Sequence, residues 1–317
     1  MPTTRRQWLQ QAALSASAFS LPSSLLAFEE SKKPADRIIL LNSNENAFGP
    51  SKLVAKAMAD AAAISNRYPD DQVPALKEKL ANFWKVGKEN VLMGAGSSEI
   101  LGLACLLVSN EKGHVISAEP SYKVWHRQAE NYGLQIHTVP LTEKRQLNLP
   151  NMISLIAKDT RMLYVCNPNN PTGLALEYES MRQQVLEASK KCMVLVDEAY
   201  TEFANIPSMA SDAANNPNII VAKTFSKIYG LAGARAGYAI SHPDTIKKLA
   251  AFQPWPDVAV SMVTAAAASA AIDDQAFVKS CRDRTAANRD YCGKTFSSLK
   301  VALSFLNASV SSGGLAW

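Results

Sequence analysis

The segment "CMVLVDEAY" (192–200) begins with a short apolar run and ends in aspartate, glutamate and tyrosine residues. Short apolar runs that end in polar or turn residues are typical of buried strands. Six further segments have this form: "NVLMGAG" (90–96), "HVISAEP" (114–120), "LQIHTVP" (134–140), "RMLYVCN" (161–167), "NIIVAKT" (218–224) and "RAGYAIS" (235–241). Helical stretches separate many of them, as at 97–109 and 177–191. This alternation predicts an α/β fold with a central, mostly parallel sheet between helices.

The two flanks of this alternating region have a different pattern. Residues 28 to about 64 contain a polar turn followed by a helix from Ser51, and the chain from about residue 257 is almost wholly helical. With 317 residues, the chain is long enough for a large and a smaller domain. We predict a large domain over 65–255 and a small domain built from 28–64 and 256–317.

Residues 1–27 have the composition of an export signal. Arg5 and Arg6 precede "QAALSASAFSLPSSLLA" (11–27), an uncharged and moderately apolar stretch that ends in a small residue. The arginine pair and Trp8 resemble a twin-arginine signal, which implies the twin-arginine export machinery and a periplasmic location. The stretch is too short and too rich in serine to predict a stable membrane anchor. An amphipathic or disordered extension of a cytoplasmic protein is the alternative.

Charge and composition narrow the classes of partner. The net charge of +5 comes with no basic run interleaved with aromatic residues, so we predict no nucleic-acid binding. The five cysteines and four histidines lack the spacing of metal ligands, and we predict no metal site. The cysteines mostly lie in apolar stretches and are expected to be small buried residues.

Polar residues follow several of the predicted strands. The loop "CNPNNPTG" (166–173) would hold an asparagine amide rigidly at a strand end, and Asp197 ends another strand with Tyr200 three residues on. The turn "GAGSSEI" (94–100) opens a helix, whose first amides attract phosphate. Each motif alone also fits a purely structural role, as a turn or a helix cap.

The segment "TFSKIYGLAGARAGY" (224–238) contains one lysine, Lys227, between two hydroxyl residues and an arginine. Thr224 and Ser226 supply the hydroxyls, and Arg235 supplies a planar cation suited to phosphate. A solvated lysine is the ordinary alternative to a covalent attachment point for a phosphorylated cofactor.

In chain order, these motifs resemble the class I/II aminotransferase family, the fold-type I enzymes that use pyridoxal 5'-phosphate. The likeness is greatest to the histidinol-phosphate aminotransferase branch. It also includes "LNSNENAFGP" (41–50), "NRYPD" (66–70) and "EPSYKVW" (119–125). The resemblance implies a homodimer that transfers an amino group from a small-molecule donor to a 2-oxo acid.

The resemblance also implies a role for each site residue. Lys227 would form the aldimine with the cofactor and move the α-proton, which requires a lowered pKa. Asp197 would pair with the pyridinium nitrogen. Asn170 and Tyr200 would hold the ring's phenolic oxygen, and Tyr122 would stack on the ring. The residues implied for the phosphate are Ser97, Ser98, Thr224, Ser226, Arg235 and, from the second subunit, Tyr68.

The last residues depart from the family pattern. Family members continue through further strands to an arginine that binds the substrate carboxylate, whereas no arginine follows Arg289 in "LKVALSFLNASVSSGGLAW" (299–317). A truncated or frame-shifted product and a variant small domain are the two interpretations. The first predicts a cofactor site that is largely kept and transamination that is impaired. A lyase, decarboxylase or racemase on the same scaffold, and a non-catalytic remnant, are the functional alternatives.

Overall fold

The computed structural model describes residues 41–257 and 259–298, without the side chains of residues 297 and 298. The predicted export signal and the chain after residue 298 lie outside the described residues, so those predictions stay predictions. The described residues from Ser43 onward belong to one compact unit.

Seven strands form one sheet, and each corresponds to a segment predicted from the sequence. They are β1 (Val91–Ala95), β2 (His114–Glu119), β3 (Gln135–Pro140), β4 (Thr160–Cys166), β5 (Met193–Asp197), β6 (Ile219–Thr224) and β7 (Ala236–Ile240). The order across the sheet is β1-β7-β6-β5-β4-β2-β3. Only β7 runs antiparallel to its neighbours, β1 and β6, so the predicted α/β fold with a mostly parallel sheet is confirmed.

Helices connect and flank the strands in the described part of the chain. They are α1 (Lys52–Ala62), α2 (Gln72–Trp84), α3 (Ser97–Ser109), α4 (Lys123–Asn131), α5 (Leu149–Ser154), α6 (Tyr178–Ser189), α7 (Thr201–Ala204), α8 (Ala210–Asn215), α9 (Pro243–Ala250), α10 (Met262–Asp273) and α11 (Gln275–Ser298). The Ser51 side chain caps α1, which begins where the sequence predicts a helix. A short 3-10 turn (Lys88–Asn90) leads into β1.

The core lies on both faces of the sheet. In β5, Val194 and Val196 belong to one apolar cluster and Leu195 to the other, because successive strand residues point to opposite faces. Helices cover both clusters, which explains why the strands read as continuous apolar runs rather than alternating ones.

The N-terminal flank packs on the C-terminal flank. Helix α10 lies against α1 and α2, and buried residues of all three helices contribute to one apolar cluster. The same cluster includes strand residues such as Met93 and Val196. The division into a large domain over 65–255 and a small domain therefore stays a prediction.

Candidate active site

The carboxyl ends of β4, β5 and β6 meet at one edge of the sheet. Cys166 pairs with Asp197 in the sheet register, and Thr224 ends the next strand. Because β7 is antiparallel, its first residues lie beside the last residues of β1 and β6, with Ala236 opposite Ala95 and Gly237 opposite Thr224. This reversal brings Arg235 to the same edge as Asp197.

A cavity of about 300 Å³ opens at this edge. Seven predicted site residues line it, namely Ser97, Ser98, Tyr122, Thr224, Ser226, Lys227 and Arg235. Ser43, Glu45, Ala232 and Gly233 complete the lining. The structure thus brings together segments that are far apart in the sequence, as ligand sites of α/β sheets require.

Lys227 follows β6 and extends its amine into this cavity. Its Nζ donates to the backbone oxygens of Ser43 at 3.1 Å and Asn44 at 3.3 Å. Burial lowers the pKa of the Lys227 ammonium, and this effect outweighs the carboxylates of Asp197 and Glu45, which act in the opposite direction. The direction of this change in pKa is the one that the predicted role requires. The Lys227 side chain is half-buried rather than fully solvated, and its role as the covalent attachment point stays a prediction.

Asp197 lies at the end of β5 and is only 3% exposed. Its Oδ2 accepts a hydrogen bond from the Tyr164 hydroxyl at 2.9 Å, and its Oδ1 accepts one from the Ala199 amide at 3.2 Å. Burial raises the pKa of the Asp197 carboxyl to about 6, against the influence of Tyr164 and Lys227. A buried carboxylate of this kind gains from a cationic partner.

Tyr200 and Asn170 lie together beside Asp197. Asn170 Nδ2 donates to Tyr200 Oη at 3.3 Å, and Asn44 Nδ2 donates to the same oxygen at 3.0 Å. Burial raises the pKa of the Tyr200 phenol, so the hydroxyl keeps its proton at neutral pH. The Lys227 Nζ is 5.7 Å from the centre of the Tyr200 ring. The side chains of Asn44, Asn170, Tyr200 and Lys227 therefore form a single polar cluster.

Backbone amides and one arginine form a cradle at the other side of the cavity. Helix α3 begins at Ser97, directly after Gly96, which has a φ of +78°. A Cβ at Gly96 would lie 2.5 Å from the Arg235 guanidinium. Arg235 Nη1 is 3.4 Å from Ser226 Oγ, and the Thr224 hydroxyl accepts from the Ser226 amide at 3.0 Å. We refer to Gly96, Ser97, Ser98, Thr224, Ser226 and Arg235 as the anion cradle.

Gly237 sets how closely α3 approaches the sheet. A Cβ at this position would lie 2.3 Å from both the Ser97 nitrogen and the Gly96 carbonyl carbon. Real Cβ contacts are never this short, so only glycine allows the main chain of β7 to touch the start of α3.

The two predicted aromatic residues differ in placement. Tyr122, just before α4, lines the cavity, and burial raises the pKa of its phenol. Tyr68 is 75% exposed and does not line the cavity of its own chain. Its predicted role concerns the site of a second subunit and stays a prediction.

Sequence reasoning missed several residues around the site. Asn44 and Glu45 belong to the quoted segment "LNSNENAFGP", but no role was assigned to them. Tyr164 lies within β4 and has the burial of a core residue, with only 1% exposure. Its contact with Asp197 has no signal in the sequence, since a tyrosine in an apolar strand is ordinarily a packing residue.

The donor set fits pyridoxal 5'-phosphate. The anion cradle combines helix N-terminal amides, hydroxyls and a guanidinium, which are the groups that bind phosphate. A buried carboxylate lies at Asp197, hydroxyl and amide groups lie at Tyr200 and Asn170, and an amine lies at Lys227. These groups match the ring nitrogen, the ring oxygen and the aldehyde of the cofactor, respectively.

Neither a metal-binding cluster nor a membrane-spanning helix occurs in the part of the chain that the structure describes. It contains no group of three or more histidine, cysteine, aspartate or glutamate residues placed to hold a metal ion. None of its helices has the length and apolar character needed to cross a membrane. All five cysteines are described and free, and four of them are buried.

Comparison with known proteins identifies the family. The model of the family "Aminotransferase class I and II" matches residues 36–309. The chain belongs to this family. The histidinol-phosphate aminotransferase of Shouchella clausii is 33% identical over 258 residues, which cover 80% of this chain and 69% of that protein. The aromatic amino acid aminotransferase of Rhodococcus erythropolis is 37% identical over 238 residues, or 74% of this chain and 66% of that protein. The chain thus spans about two thirds of the length of these relatives.

A solved structure agrees with the assignment. Histidinol-phosphate aminotransferase from Sinorhizobium meliloti, in complex with pyridoxal-5'-phosphate, has a TM-score of 0.74 and 30% identity, and covers 80% of this chain and 69% of that one. The fold is that of the fold-type I aminotransferases, and the chain is a pyridoxal-phosphate-dependent aminotransferase. The predicted resemblance, enzyme class and cofactor are confirmed.

Proposed function

We propose that this aminotransferase moves an amino group between an amino acid or amino-alcohol phosphate and a 2-oxo acid, with Lys227 and Asp197 at the reacting centre. The supporting observation is the cavity at the sheet edge, which Lys227 lines together with the side chains of the anion cradle. The Asp197 carboxylate does not line this cavity but is buried close enough to interact electrostatically with the Lys227 amine. Bound pyridoxal phosphate supplies an aldehyde that takes up amines and a ring that accepts electrons. The chain's own residues hold and orient the cofactor and move protons during the reaction.

Lys227 acts as nucleophile and proton carrier. An amine attacks and accepts protons only in its neutral form, and the lowered pKa increases the neutral fraction near pH 7. The carbonyl oxygens of Ser43 and Asn44 accept from its Nζ and fix the position of the side chain.

Asp197 and the Tyr200 pair hold the ring. The Asp197 carboxylate accepts from the ring nitrogen when that nitrogen carries a proton, and a positive ring is the better electron acceptor. Tyr200 Oη and Asn170 Nδ2 lie within hydrogen-bond distance of each other and would donate to the ring oxygen. Tyr122 lines the cavity and would pack on the ring face. The anion cradle would bind the phosphate and so orient the ring relative to Lys227.

Removal of Lys227 tests the proposal. Lys227→Ala is expected to abolish amino transfer and the change in visible absorbance of bound cofactor on addition of an amino donor. Lys247→Ala, on the exposed side of α9, is the matched control and should leave both unchanged. Activity that persists in Lys227→Ala contradicts the proposal. A donor labelled with ¹⁵N separates the alternatives, since label in the new amino acid supports transfer and label released as ammonia supports a lyase.

Substrates with a ring and an anionic group are the favoured class. The matched relatives are a histidinol-phosphate aminotransferase and an aromatic amino acid aminotransferase, and both names refer to ring-bearing donors. We expect kcat/KM to be higher for histidinol phosphate and phenylalanine than for alanine or aspartate, with 2-oxoglutarate as acceptor. Equal or higher values for the small donors contradict this class.

A homodimer is part of the proposal. Tyr68 is highly exposed in the single chain and resembles a residue that reaches the phosphate in a second subunit. The exposed Trp255 and Phe252 are further apolar residues that an interface would cover. Sedimentation at micromolar concentration should give twice the mass of the chain.

Export to the periplasm is a further part of the proposal. It rests on the arginine pair and the apolar stretch in residues 1–27. Replacement of both Arg5 and Arg6 by lysine should retain the protein in the cytoplasm of a host with the twin-arginine machinery. Unchanged fractionation of the variant contradicts export by this route.

A further inference from the structure

Tyr164 makes a direct hydrogen bond to the carboxylate at the base of the site. It lies in β4, next to β5, and its Oη donates to Asp197 Oδ2 at 2.9 Å. Tyr164 is 1% exposed and Asp197 3% exposed, so water does not compete for this bond. We propose that Tyr164 is a positioning residue that orients the Asp197 carboxylate and favours its ionised form, and thereby sets cofactor affinity. The inference rests on the proposed role of Asp197.

The Tyr164 ring is held in place by a second aromatic residue. Trp125 on α4 stacks on it with ring centroids 4.0 Å apart and ring planes 6° apart. Trp125 is fully buried. Stacking between two buried rings fixes the position of the Tyr164 ring, and its hydroxyl then lies 2.9 Å from Asp197 Oδ2. The contact is therefore preorganised before any cofactor binds.

Tyr164 supplies a proton donor without supplying a charge. Burial and the neighbouring Asp197 raise the pKa of its phenol, so the hydroxyl donates and does not ionise. A hydrogen bond to the charged form of a carboxyl favours that form. A lysine or arginine in this place would neutralise Asp197 and compete with a protonated ring nitrogen, whereas a phenol leaves the negative charge in place.

The other groups that face Asp197 come from each neighbouring element. They are Cys166 on β4, Glu198 and Tyr200 after β5, Tyr122 before α4 and Lys227 after β6. Among them Lys227 favours the carboxylate and Glu198 opposes it. The Ala199 amide donates a hydrogen bond to Asp197 Oδ1. Tyr164 is the side-chain donor to Oδ2.

The pH dependence of cofactor binding tests this role. Below the pKa of Asp197, about 6, a proton must leave before the carboxylate can hold a protonated ring nitrogen, and affinity falls. Loss of a hydrogen bond to the charged form raises the carboxyl pKa by about one unit, or about tenfold in its acid constant. Tyr164→Phe apoprotein, titrated with pyridoxal phosphate, is expected to bind almost tenfold more weakly at about pH 5.5 and equally at about pH 8.

Tyr238→Phe is the matched control. Tyr238 is also a strand residue with 1% exposure, and its Oη takes part in one hydrogen bond of 2.9 Å, with Trp84 instead of Asp197. Its loss should leave the pH profile of cofactor binding unchanged. Trp125→Phe keeps the Tyr164 hydroxyl but weakens its stacking, and should shift the profile in the same direction by less.

The outcomes separate this inference from the proposed function. A loss of affinity in Tyr164→Phe that is the same at all pH values, or no loss, overturns the inference. If Tyr164→Phe does not fold, Trp125→Phe replaces it in the test. A shift in the pH profile of cofactor binding then supports the inference, and an unchanged profile overturns it. Asp197→Asn should remove the acid-side decrease altogether. A wild-type profile in Asp197→Asn contradicts the proposed role of Asp197 itself, rather than that of Tyr164.

Discussion

The Lys223 ammonium lies 3.1 Å from Glu198 Oε2, and the side chains of both residues are almost completely buried. Lys223 Nζ is also 2.9 Å from Glu202 Oε1 and 2.7 Å from Thr201 Oγ1. Glu198 and Thr201 flank Tyr200, while Lys223 directly precedes Thr224 of the anion cradle. The buried cluster therefore connects the loop that carries the ring-holding residues to the strand that leads to the phosphate site.

Removal of the Lys223 charge should strongly destabilise the fold. Lys223→Met leaves two carboxylates without their cation in a buried place, which costs about 3–5 kcal/mol. Urea unfolding should show this loss in the free energy of unfolding. Lys190→Met is the control, because Lys190 pairs with Glu187 at the surface with both side chains more than half exposed. That change should cost less than about 1 kcal/mol. Similar losses in both variants would contradict a structural role for the buried cluster.

Gly96→Ala should weaken cofactor binding through Arg235. The added Cβ would lie 2.5 Å from the guanidinium, which must then leave the cradle. Gly133→Ala is the control, since Gly133 has a similar φ of +76° and no other atom lies within 4 Å of the position that its Cβ would occupy. Both variants bear the strain of a positive φ, about 1–3 kcal/mol, and this strain is greater in Gly96→Ala because a ψ of 168° places Gly96 in a region that is almost restricted to glycine. Equilibrium titration with pyridoxal phosphate should show at least tenfold weaker binding in Gly96→Ala alone. Equal affinities in the two variants contradict the phosphate role of the cradle.

Asp197→Asn should stabilise the cofactor-free protein at neutral pH. The Asp197 carboxyl has a pKa of about 6, raised from an ordinary value of 3.8 by burial. Between these values the folded state binds more protons than the unfolded state, so stability falls as the pH rises from about 4 to 6. The two-unit difference corresponds to roughly 3 kcal/mol above pH 6.

Thermal unfolding across pH measures this effect. The unfolding free energies of Asp197→Asn and wild-type apoprotein should be close near pH 4, diverge as the pH rises from about 4 to about 6, and differ by a constant amount at higher pH, with the variant more stable. Saturation with pyridoxal phosphate should reverse the order, because the carboxylate then has its cationic partner. A variant that is less stable than wild type at pH 8 without cofactor is the contrary result.

Mixed dimers test the contribution of Tyr68. If Tyr68 of one chain completes the site of the other, Tyr68→Ala and Lys227→Ala homodimers are both impaired. Co-refolding of the two variants creates heterodimers in which one site has both residues intact. Activity should then rise above that of either variant alone. Mixtures no more active than the average of the two homodimers would show that Tyr68 acts within its own chain or not at all.

Most strands were predictable because they are buried on both faces and read as apolar runs between turns, whereas the edge strand β3 is largely exposed. Their order in space was not, since β7 follows β6 in the chain yet lies between β6 and β1 in the opposite direction. The roles of Lys227, Asp197 and Arg235 were predictable because the motifs that contain them resemble those of a known family. The role of Tyr68 depends on contacts with a second subunit, which the pattern of a single chain does not determine.

The supporting residues were harder to foresee because their partners are distant in the sequence. Lys223 is the last residue but one of the segment "NIIVAKT" (218–224), where a lysine near a turn is ordinarily solvated. Asn44 lies in a polar turn, 156 positions before the Tyr200 hydroxyl to which it donates. Tyr164 has an apolar neighbour on either side in β4. Contacts of this kind depend on strand register and helix placement, which local patterns do not determine.

The close approach at Gly237 has a consequence for altering this enzyme. The gap between the start of α3 and β7 is occupied by main-chain atoms alone, with no room for a Cβ at 237. Substitutions of cavity-lining side chains leave this gap unchanged, so they alter the groups that contact a phosphate but not the width of the anion cradle. The width of the cradle depends on Gly237, which has no side chain. A variant that admits a larger anion would therefore need a change in the main chain around Gly237.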